Sequence, residues 1–373
     1  MFNKLLKKQR RQSPGDNNLH PLDQLSDNEF LDYIYKRFLG REPDPVGREN
    51  QLKFLREGNS RAALVVNITE APEFIFKIVK DNIHNYIKLI PIKDERPENY
   101  IILADLSGRE KSSFFIAESP GDFDWLERKI LSNGYYERPG VWSFLIDEDK
   151  RMMADITAEF EPSSVLDFGC ANGAVLKCLK DRGIDGDGVE ISVISLDKAF
   201  PEISSRIRLG DIRHLTFSHS YDVILGLDIF EHLNPNSLLS YIRRLYELLN
   251  DGGFLYANIP AFGKDSVFGE IFRIDYESWA EDAEKKRLFR AVPVDGYGYP
   301  KNGHLIGATT DWWVDRFAEA GFRRETDIES ALHRKFDEAM EKISPARRAY
   351  YVFSKNAEFG KIRSILDRIA SSE

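Results

Sequence analysis

Residues 165–176, VLDFGCANGAVL, decide the fold. Val165-Leu166-Asp167-Phe168 is a short apolar run that reads as a buried strand. Gly169-Cys170-Ala171-Asn172-Gly173 then turns the chain into an apolar helix, Ala174 to Leu179. Gly169 and Gly173 carry no Cβ, so the backbone can approach a ligand closely there. A second strand, Gly186 to Ile191, places Glu190 at its carboxyl end, 23 residues after Asp167. That separation fits strand, helix and strand, and an acid at this point can accept from the hydroxyls of a ribose.

Downstream, the alternation of strand and helix patterns continues, which predicts a parallel sheet covered by helices on both faces. Gly210-Asp211-Ile212 follows a third short apolar segment. YDVILGLDIFEHL (Tyr221 to Leu233) is an apolar strand that runs into acidic residues. LLNDGGFLYANIP, residues 248–260, is a fifth strand introduced by Gly-Gly. The turn at 169–173 is Gly-x-x-x-Gly, not the Gly-x-Gly-x-x-Gly suited to a pyrophosphate, and this weighs against an NAD-dependent reductase or epimerase.

Five such elements in this order resemble the class I S-adenosylmethionine-dependent methyltransferases over about residues 150–260. The resemblance implies an α/β, Rossmann-like fold with a seven-stranded, mostly parallel sheet of order 3-2-1-4-5-7-6. FRRETDI (322–328) and AYYVFSK (349–355) are its antiparallel pair, and a helix from Ile362 to Ile369 closes the chain. It also implies S-adenosylmethionine as the methyl donor, a ligand with no phosphate to bind. Asp167, Gly169, Cys170 and Gly173 would line its methionine portion, and Glu190 with Ile191 its ribose. Asp211 and Ile212 would frame the adenine, and Asp228 and Ile229 would close near the sulfonium. Cys170 and Cys178 read as packing residues, too few and too close to staple a fold.

Methyl transfer is an in-line displacement, so the protein has to align an acceptor atom and take up its proton. Four regions offer side chains for that. Tyr135, Tyr136 and Trp142 precede the first strand, where related enzymes cover the cofactor; aromatic packing is the equal alternative. His232 and Asp228 end the fourth strand. Residues 261–309 are too long for a plain connection and suggest a substrate-specific insert rich in aromatics and charges, among them Phe262, Asp265 and Trp279. His304 in that insert is the preferred base, with Tyr297, Tyr299 and Asp295 placed to grip a polar acceptor. No metal site is expected. His333 reads as a surface or packing residue.

The N-terminal third differs. Residues 1–24 are polar and read as a flexible lead-in. Ser26 and Glu29 form a capping box that opens a helix carrying Phe30, Ile34 and Phe38, and Ser60 can cap a third helix. The stretch from Phe30 to Phe74 resembles a small bacterial helical domain of uncharacterised function, similar in pattern to phycobilisome-linker modules. Tyr35, Leu39-Gly40-Arg41, Pro43-Asp44, Gly47, Gly58 and Glu73-Phe74 carry that likeness. It implies company with enzymes of surface-glycan assembly. The expected organisation is a lead-in at 1–24, a helical docking domain at 25–78, a connector at 79–130 and a methyltransferase domain at 131–373.

Composition sets the outer bounds. Of 373 residues, 42% are hydrophobic, enough for a packed core. The net charge of −9 disfavours sequence-independent binding to nucleic acid. Lys4, Lys7, Lys8, Arg10 and Arg11, beside Phe2, Leu5 and Leu6, offer weak contact with an anionic membrane surface, though a solvated tail is the simpler reading. No apolar run reaches membrane-spanning length and no secretory signal is expected, so cytoplasmic residence follows as the expectation. The function expected is methylation of a polar small molecule, sugar or glycan at oxygen. The rival is a non-catalytic adenosylmethionine-binding scaffold that works through the N-terminal helices and a protein partner.

Overall fold

The computed structural model describes residues 25–39, 41–69, 89–138 and 144–371. The basic lead-in, Gly40, Glu73-Phe74 and Trp142 lie outside them. The chain divides into two compact units, Met1–Asn82 and Ile83–Glu373.

In the first unit, the Ser26 hydroxyl accepts from Glu29 N at 3.3 Å while the Glu29 carboxylate accepts from Ser26 N at 2.8 Å. This reciprocal cap opens helix α1 (Asp27–Ile34), which continues as a π-turn over Tyr35–Leu39. Asp44 caps α2 (Pro45–Arg56), with proline in the first turn, where its missing N–H costs nothing. Ser60 Oγ accepts from Ala63 N at the start of α3 (Arg61–Thr69). Phe30, Leu31, Ile34, Tyr35, Leu64 and Ile68 form its small core. Arg61 ties α3 back to α1 through Asp27 at 2.7 Å.

The second unit is organised by a seven-stranded sheet. Its parallel part comprises β3 (Val165–Phe168), β4 (Gly186–Glu190), β5 (Ile207–Leu209), β6 (Tyr221–Leu227) and β7 (Leu249–Asn258). Two antiparallel strands complete it, β11 (Arg323–Arg324) and β12 (Tyr350–Ser354). The order is β11-β12-β7-β6-β3-β4-β5. Counted 1 to 7 in chain order within this sheet, and read from the β5 edge, that is 3-2-1-4-5-7-6.

Side chains alternate between the two faces along each strand, and the two cores follow that period. Leu166, Ile224, Leu255, Ala257, Tyr351 and Phe353 face one core with helices α9 (Leu238–Leu248) and α11 (Thr310–Glu319). Val165, Val223, Leu225, Phe254, Tyr256 and Val352 face the other. There they meet α5 (Glu148–Ala158), α6 (Ala174–Asp181), α12 (Thr326–Ile343) and α13 (Phe359–Ser371). Two short helices, α7 (Val193–Asp197) and α8 (Pro201–Ser204), carry the chain from β4 to β5.

Two expectations change here. The segment from 322 contributes only two residues of strand, and Thr326 then opens an 18-residue helix, α12. The apolar spacing of Ile328, Ala331, Leu332 and Met340 favours that helix, and burying that face against the sheet decides it. His333 on this helix is buried, bonded to Asp337 at 2.7 Å and stacked on Tyr350.

The other change concerns the insert. Hairpin β1 (Tyr100–Ala104) and β2 (Lys111–Ile116) takes β10 (Ala291–Pro293) as a third, antiparallel strand. Helix α4 (Pro120–Ser132) follows the hairpin, and the two-residue strands β8 (Lys264–Asp265) and β9 (Gly269–Glu270) pair before α10 (Glu277–Glu284). Phe114, Trp279, Phe289 and Ala291 make a core of their own, with Phe262 packed against it. Trp279 Nε1 donates to Ala291 O at 2.8 Å. The insert's aromatics are thus mainly packing, because the extra sheet needs a hydrophobic face of its own. Asp265 is likewise structural, held by Arg324 at 2.8 and 2.9 Å in a buried network with Glu329.

Candidate active site

The carboxyl ends of β5, β4, β3 and β6 open onto one cavity of about 710 Å³. Parallel strands lie about 4.8 Å apart, so three gaps give an edge of about 14 Å, the length of an extended nucleoside joined to an amino acid. Asp167, Gly169, Cys170, Glu190, Ile191, Asp211, Ile212, Asp228 and Ile229 all line it. Along the sheet they fall in the order Asp211, Glu190, Asp167, Asp228, one carboxylate per strand end.

Glu190 is fixed by its own turn. Its carboxylate accepts from Ala171 N at 2.9 Å, Ile191 N at 2.7 Å and Ser192 N at 2.9 Å. A carboxylate has about four acceptor sites, so room remains for a ribose hydroxyl. Burial raises its carboxyl above the usual range, against the pull of these N–H donors. Ala171 reaches Glu190 by adopting φ 47°, a left-handed conformation rarely taken by alanine.

Gly169, at φ 80°, sits where a Cβ would come within 2.8 Å of the Ile229 side chain. That absent atom is what lets β3 and β6 close on the cavity floor. Gly173 lies outside the lining; its φ is 76° and a Cβ there would meet Ile203 at 2.8 Å. It therefore serves the packing of α6, not ligand contact. Cys170 is buried, and its sulfur occupies space that a side chain at residue 188 would need.

Asp167 is buried at the end of β3. Burial pushes its carboxyl up to about 7, with the neighbouring Glu190 adding to the rise and Arg347 opposing it. Asp211 is engaged by Arg213, at 2.5 Å, and by the Tyr241 hydroxyl at 3.0 Å. Against the cost of burial, these donors hold its carboxyl below the usual range. Its capacity for an adenine amino group is correspondingly reduced, and the Arg213 guanidinium over the Tyr241 ring builds that wall.

Asp228, with φ 51°, pairs with Arg347 at 2.5 Å. Arg347 comes from a single turn, Pro345–Arg348, more than 100 residues downstream. It also donates to Asn258 Oδ1 at 2.7 Å, so three strand ends or helix starts converge on one guanidinium. No local pattern in the sequence marks Arg347. Asp149, Lys150, Arg213 and Asn302 are further lining residues that the sequence reading passes over.

The candidate acceptor side chains are divided by the fold. Tyr136 and His232 line the cavity, with the Tyr136 hydroxyl 3.3 Å from His232 Nδ1. Tyr135 is buried behind them, edge-on to Tyr136. His304 packs against His232 with ring centroids 4.8 Å apart. Tyr299 is a correction: it is fully buried, and its hydroxyl donates to Ile90 O at 2.9 Å and accepts from Asn133. Tyr297 is half exposed and outside the cavity lining. Asp295 caps its own turn by accepting from Tyr297 N and Tyr299 N.

Both histidines are held neutral. Burial lowers His232 to about 3, with His304 adding to the effect, and burial lowers His304 to about 4. A base works best with a pKa near the working pH, so neither imidazole is well matched to that task. Donor atoms of Glu231, His232 and His304 all lie within 4.8 Å of one another, a grouping that the sequence analysis did not anticipate.

The family described as Methyltransferase domain matches residues 143–334, just over half of the chain and the whole of the parallel sheet. The chain belongs to this methyltransferase family. The matched segment is an S-adenosylmethionine-dependent methyltransferase domain, and the cavity suits that donor. Its acids complement a cationic ligand, and Gly169, lacking a Cβ, leaves the backbone open to close approach. A Domain of unknown function (DUF4214) matches residues 20–78.

The chain is 27% identical over 121 residues to the carboxy-S-adenosyl-L-methionine synthase of Cronobacter sakazakii, covering 29% of this chain and 48% of that protein. It is 23% identical over 149 residues to the sphingolipid C9-methyltransferase 1 of Gibberella zeae, covering 37% and 29%. The chain thus spans less than half the length of either relative. Among solved structures it is similar to an amino pentose methyltransferase from Micromonospora echinaspora. There the identity is 17%, the coverage 61% of this chain and 96% of that one, and the TM-score 0.38. It is also similar to the 1,6-didemethyltoxoflavin-N1-methyltransferase of Burkholderia thailandensis, at 14% identity, 65% and 93% coverage and a TM-score of 0.39. No helix among the described residues is long and apolar enough to cross a membrane.

Proposed function

We propose that the protein transfers a methyl group from S-adenosylmethionine to a hydroxyl of a polar small molecule, sugar or glycan. The observation that supports this reading is the row of carboxylates along the sheet edge, whose β5 end we read as the donor's and whose β6 end we read as the acceptor's. Asp211 and Ile212 flank the adenine end, Glu190 takes the ribose, and Asp167 with Gly169 receives the amino-acid portion. When bound, the donor supplies a methyl group on a positively charged sulfur.

Every other task falls to the chain. Asp167 neutralises the ligand's ammonium group, which favours its ionised form on binding. Asp228 and Asp149 share the single Arg347 guanidinium, so this corner keeps negative potential beside β6. Tyr136, His232, Asn302 and Leu305 wall the β6 end, where an acceptor atom can lie behind the methyl group. Cytoplasmic residence and a place in glycan assembly belong to the same reading. The helical unit at 25–78 serves as a docking module: its described charged side chains are largely engaged in caps and surface ion pairs.

Calorimetry with S-adenosylmethionine, its demethylated product and NAD tests the donor half. Binding of the first two and not of NAD is expected, and no binding of either overturns the reading. For the acceptor half, mass spectrometry across a panel of nucleotide sugars and glycans should find a gain of one methyl group. A panel in which only amine or carbon acceptors gain mass overturns transfer to oxygen.

A further inference from the structure

Strand β6 ends in a turn that points two donor groups at the insert. The Glu231 carbonyl accepts from Leu305 N at 2.7 Å and Ile306 N at 3.0 Å, which pins the segment carrying His304 against the turn carrying Glu231 and His232. Gly303 makes this approach possible. At φ 80°, a Cβ there would lie 3.0 Å from the Tyr136 hydroxyl and 3.1 Å from His232 Nδ1. The result is two imidazoles and one carboxylate drawn from places 73 residues apart in the chain (231 and 304).

Glu231 itself is the second observation. Its side chain is 1% exposed, and its Oε2 has no hydrogen-bond partner. Its other oxygen lies 3.8 Å from His304 Nε2, too far for a hydrogen bond. A buried carboxylate oxygen left without a partner is costly, and such groups are normally paired or bound to a metal. The neighbouring acid, Asp228, is paired with Arg347, whereas the basic side chain within ion-pair reach of Glu231 among the described residues is the neutral imidazole of His304.

We propose that Glu231, His232 and His304 bind one divalent transition-metal ion at the acceptor end of the cavity. Two imidazoles and a carboxylate are a donor set suited to zinc and its first-row neighbours, and three protein ligands leave positions open. With metal–ligand bonds of about 2.1 Å, tetrahedral donors stand about 3.4 Å apart, so closing from 4.8 Å takes side-chain shifts of roughly 1 Å. Of the three, His232 lines the cavity while Glu231 and His304 stand behind it, so the site borders the space proposed for the acceptor on its His232 side. Tyr136, beside His232 Nδ1, orients the imidazole.

A hydroxyl bound there is polarised and releases its proton to water. Its oxygen then forms the new O–C bond as the C–S bond of the donor breaks and that electron pair passes to sulfur. This removes the need for either histidine to serve as a base. The use of the metal rests on the methyl-transfer reading above; its binding does not.

The test uses the full chain, stripped with a chelator and titrated with Co²⁺, followed by visible absorption and by metal content per chain. One Co²⁺ per chain, with ligand-field bands and displacement by Zn²⁺, is expected. Glu231→Gln and His304→Ala should each weaken binding at least tenfold, while His219→Ala, distant from the cluster, leaves it unchanged. Calorimetry with S-adenosylmethionine on each variant verifies the fold. Wild-type protein that binds the donor but no stoichiometric Co²⁺ overturns the metal site alone, as does full Co²⁺ binding by both cluster variants. Failure to bind the donor overturns the functional reading instead.

Discussion

Arg347 and Asp149 form a two-pronged ion pair, Nε to one carboxylate oxygen at 2.8 Å and Nη2 to the other at 2.9 Å. Both side chains are 12% exposed, so the pair is largely removed from solvent. Parallel hydrogen bonds of this kind are the strong class of charge pairing. They join the helix before the first strand to the turn before the last one, at the mouth of the cavity.

Removing one partner from such a pair leaves a buried charge uncompensated. Arg347→Met should therefore lower stability by about 3 kcal/mol or more, read from urea unfolding. Adding Asp149→Asn to that variant should restore part of the loss. A double variant no more stable than the single one would show that the two residues act independently.

Glu190 accepts three backbone N–H groups and is the residue proposed for the ribose. Glu190→Gln keeps the shape but replaces one acceptor oxygen with a donor. Affinity for S-adenosylmethionine should fall by about ten- to a hundredfold, the cost of a lost bond to a charged group. Calorimetry of the variant beside wild type measures it, with circular dichroism to confirm folding.

Gly169→Ala tests the close approach. Its φ of 80° strains any side chain, and the added carbon meets Ile229 at 2.8 Å. The loss expected is about 1–3 kcal/mol in stability, together with weaker donor binding. Shortening the obstacle with Ile229→Val in the same chain should recover some of the binding but not the backbone strain.

Asp167 makes stability depend on pH. Its folded-state pKa of about 7 lies above the ordinary value of 3.8, so the folded protein holds a proton that the unfolded chain has lost. The contribution is fully present below the ordinary value and is lost as pH rises through the folded one. Ligand-free stability should accordingly decline from about pH 4 to pH 7 through this group, and Asp167→Asn should flatten that slope. Donor binding, which favours the ionised form, should tighten over the same window, measured by calorimetry at several pH values.

The residues proposed for the donor were legible as cavity lining because their signals are local. Asp167 and Glu190 end apolar runs of strand length, and Gly169 interrupts one with a turn. The acceptor half was not. Tyr297 and Tyr299 looked placed for a ligand, yet Tyr299 spends its hydroxyl on the Ile90 carbonyl, 209 residues away. The aromatics of the insert read as a grip on substrate, but their partners are on the hairpin at 100–116, which no periodicity could announce. The strand expected over 322–328 runs three residues into helix α12, because the Arg-Arg pair before it does extend the sheet.

Sequence alone fixed the order of strand, turn and helix from Val165 to Asn258, because hydrophobic period and glycine conformation act over a few residues. It fixed, for the same reason, the capped helices of the N-terminal unit. Tertiary structure decided which distant groups share a space. The Arg347 guanidinium between Asp149 and Asp228, and His304 beside Glu231 and His232, exist only once the sheet has closed. The VLDFGCANGAVL stretch thus specifies one wall of the cavity, and long-range packing specifies which side chains face it.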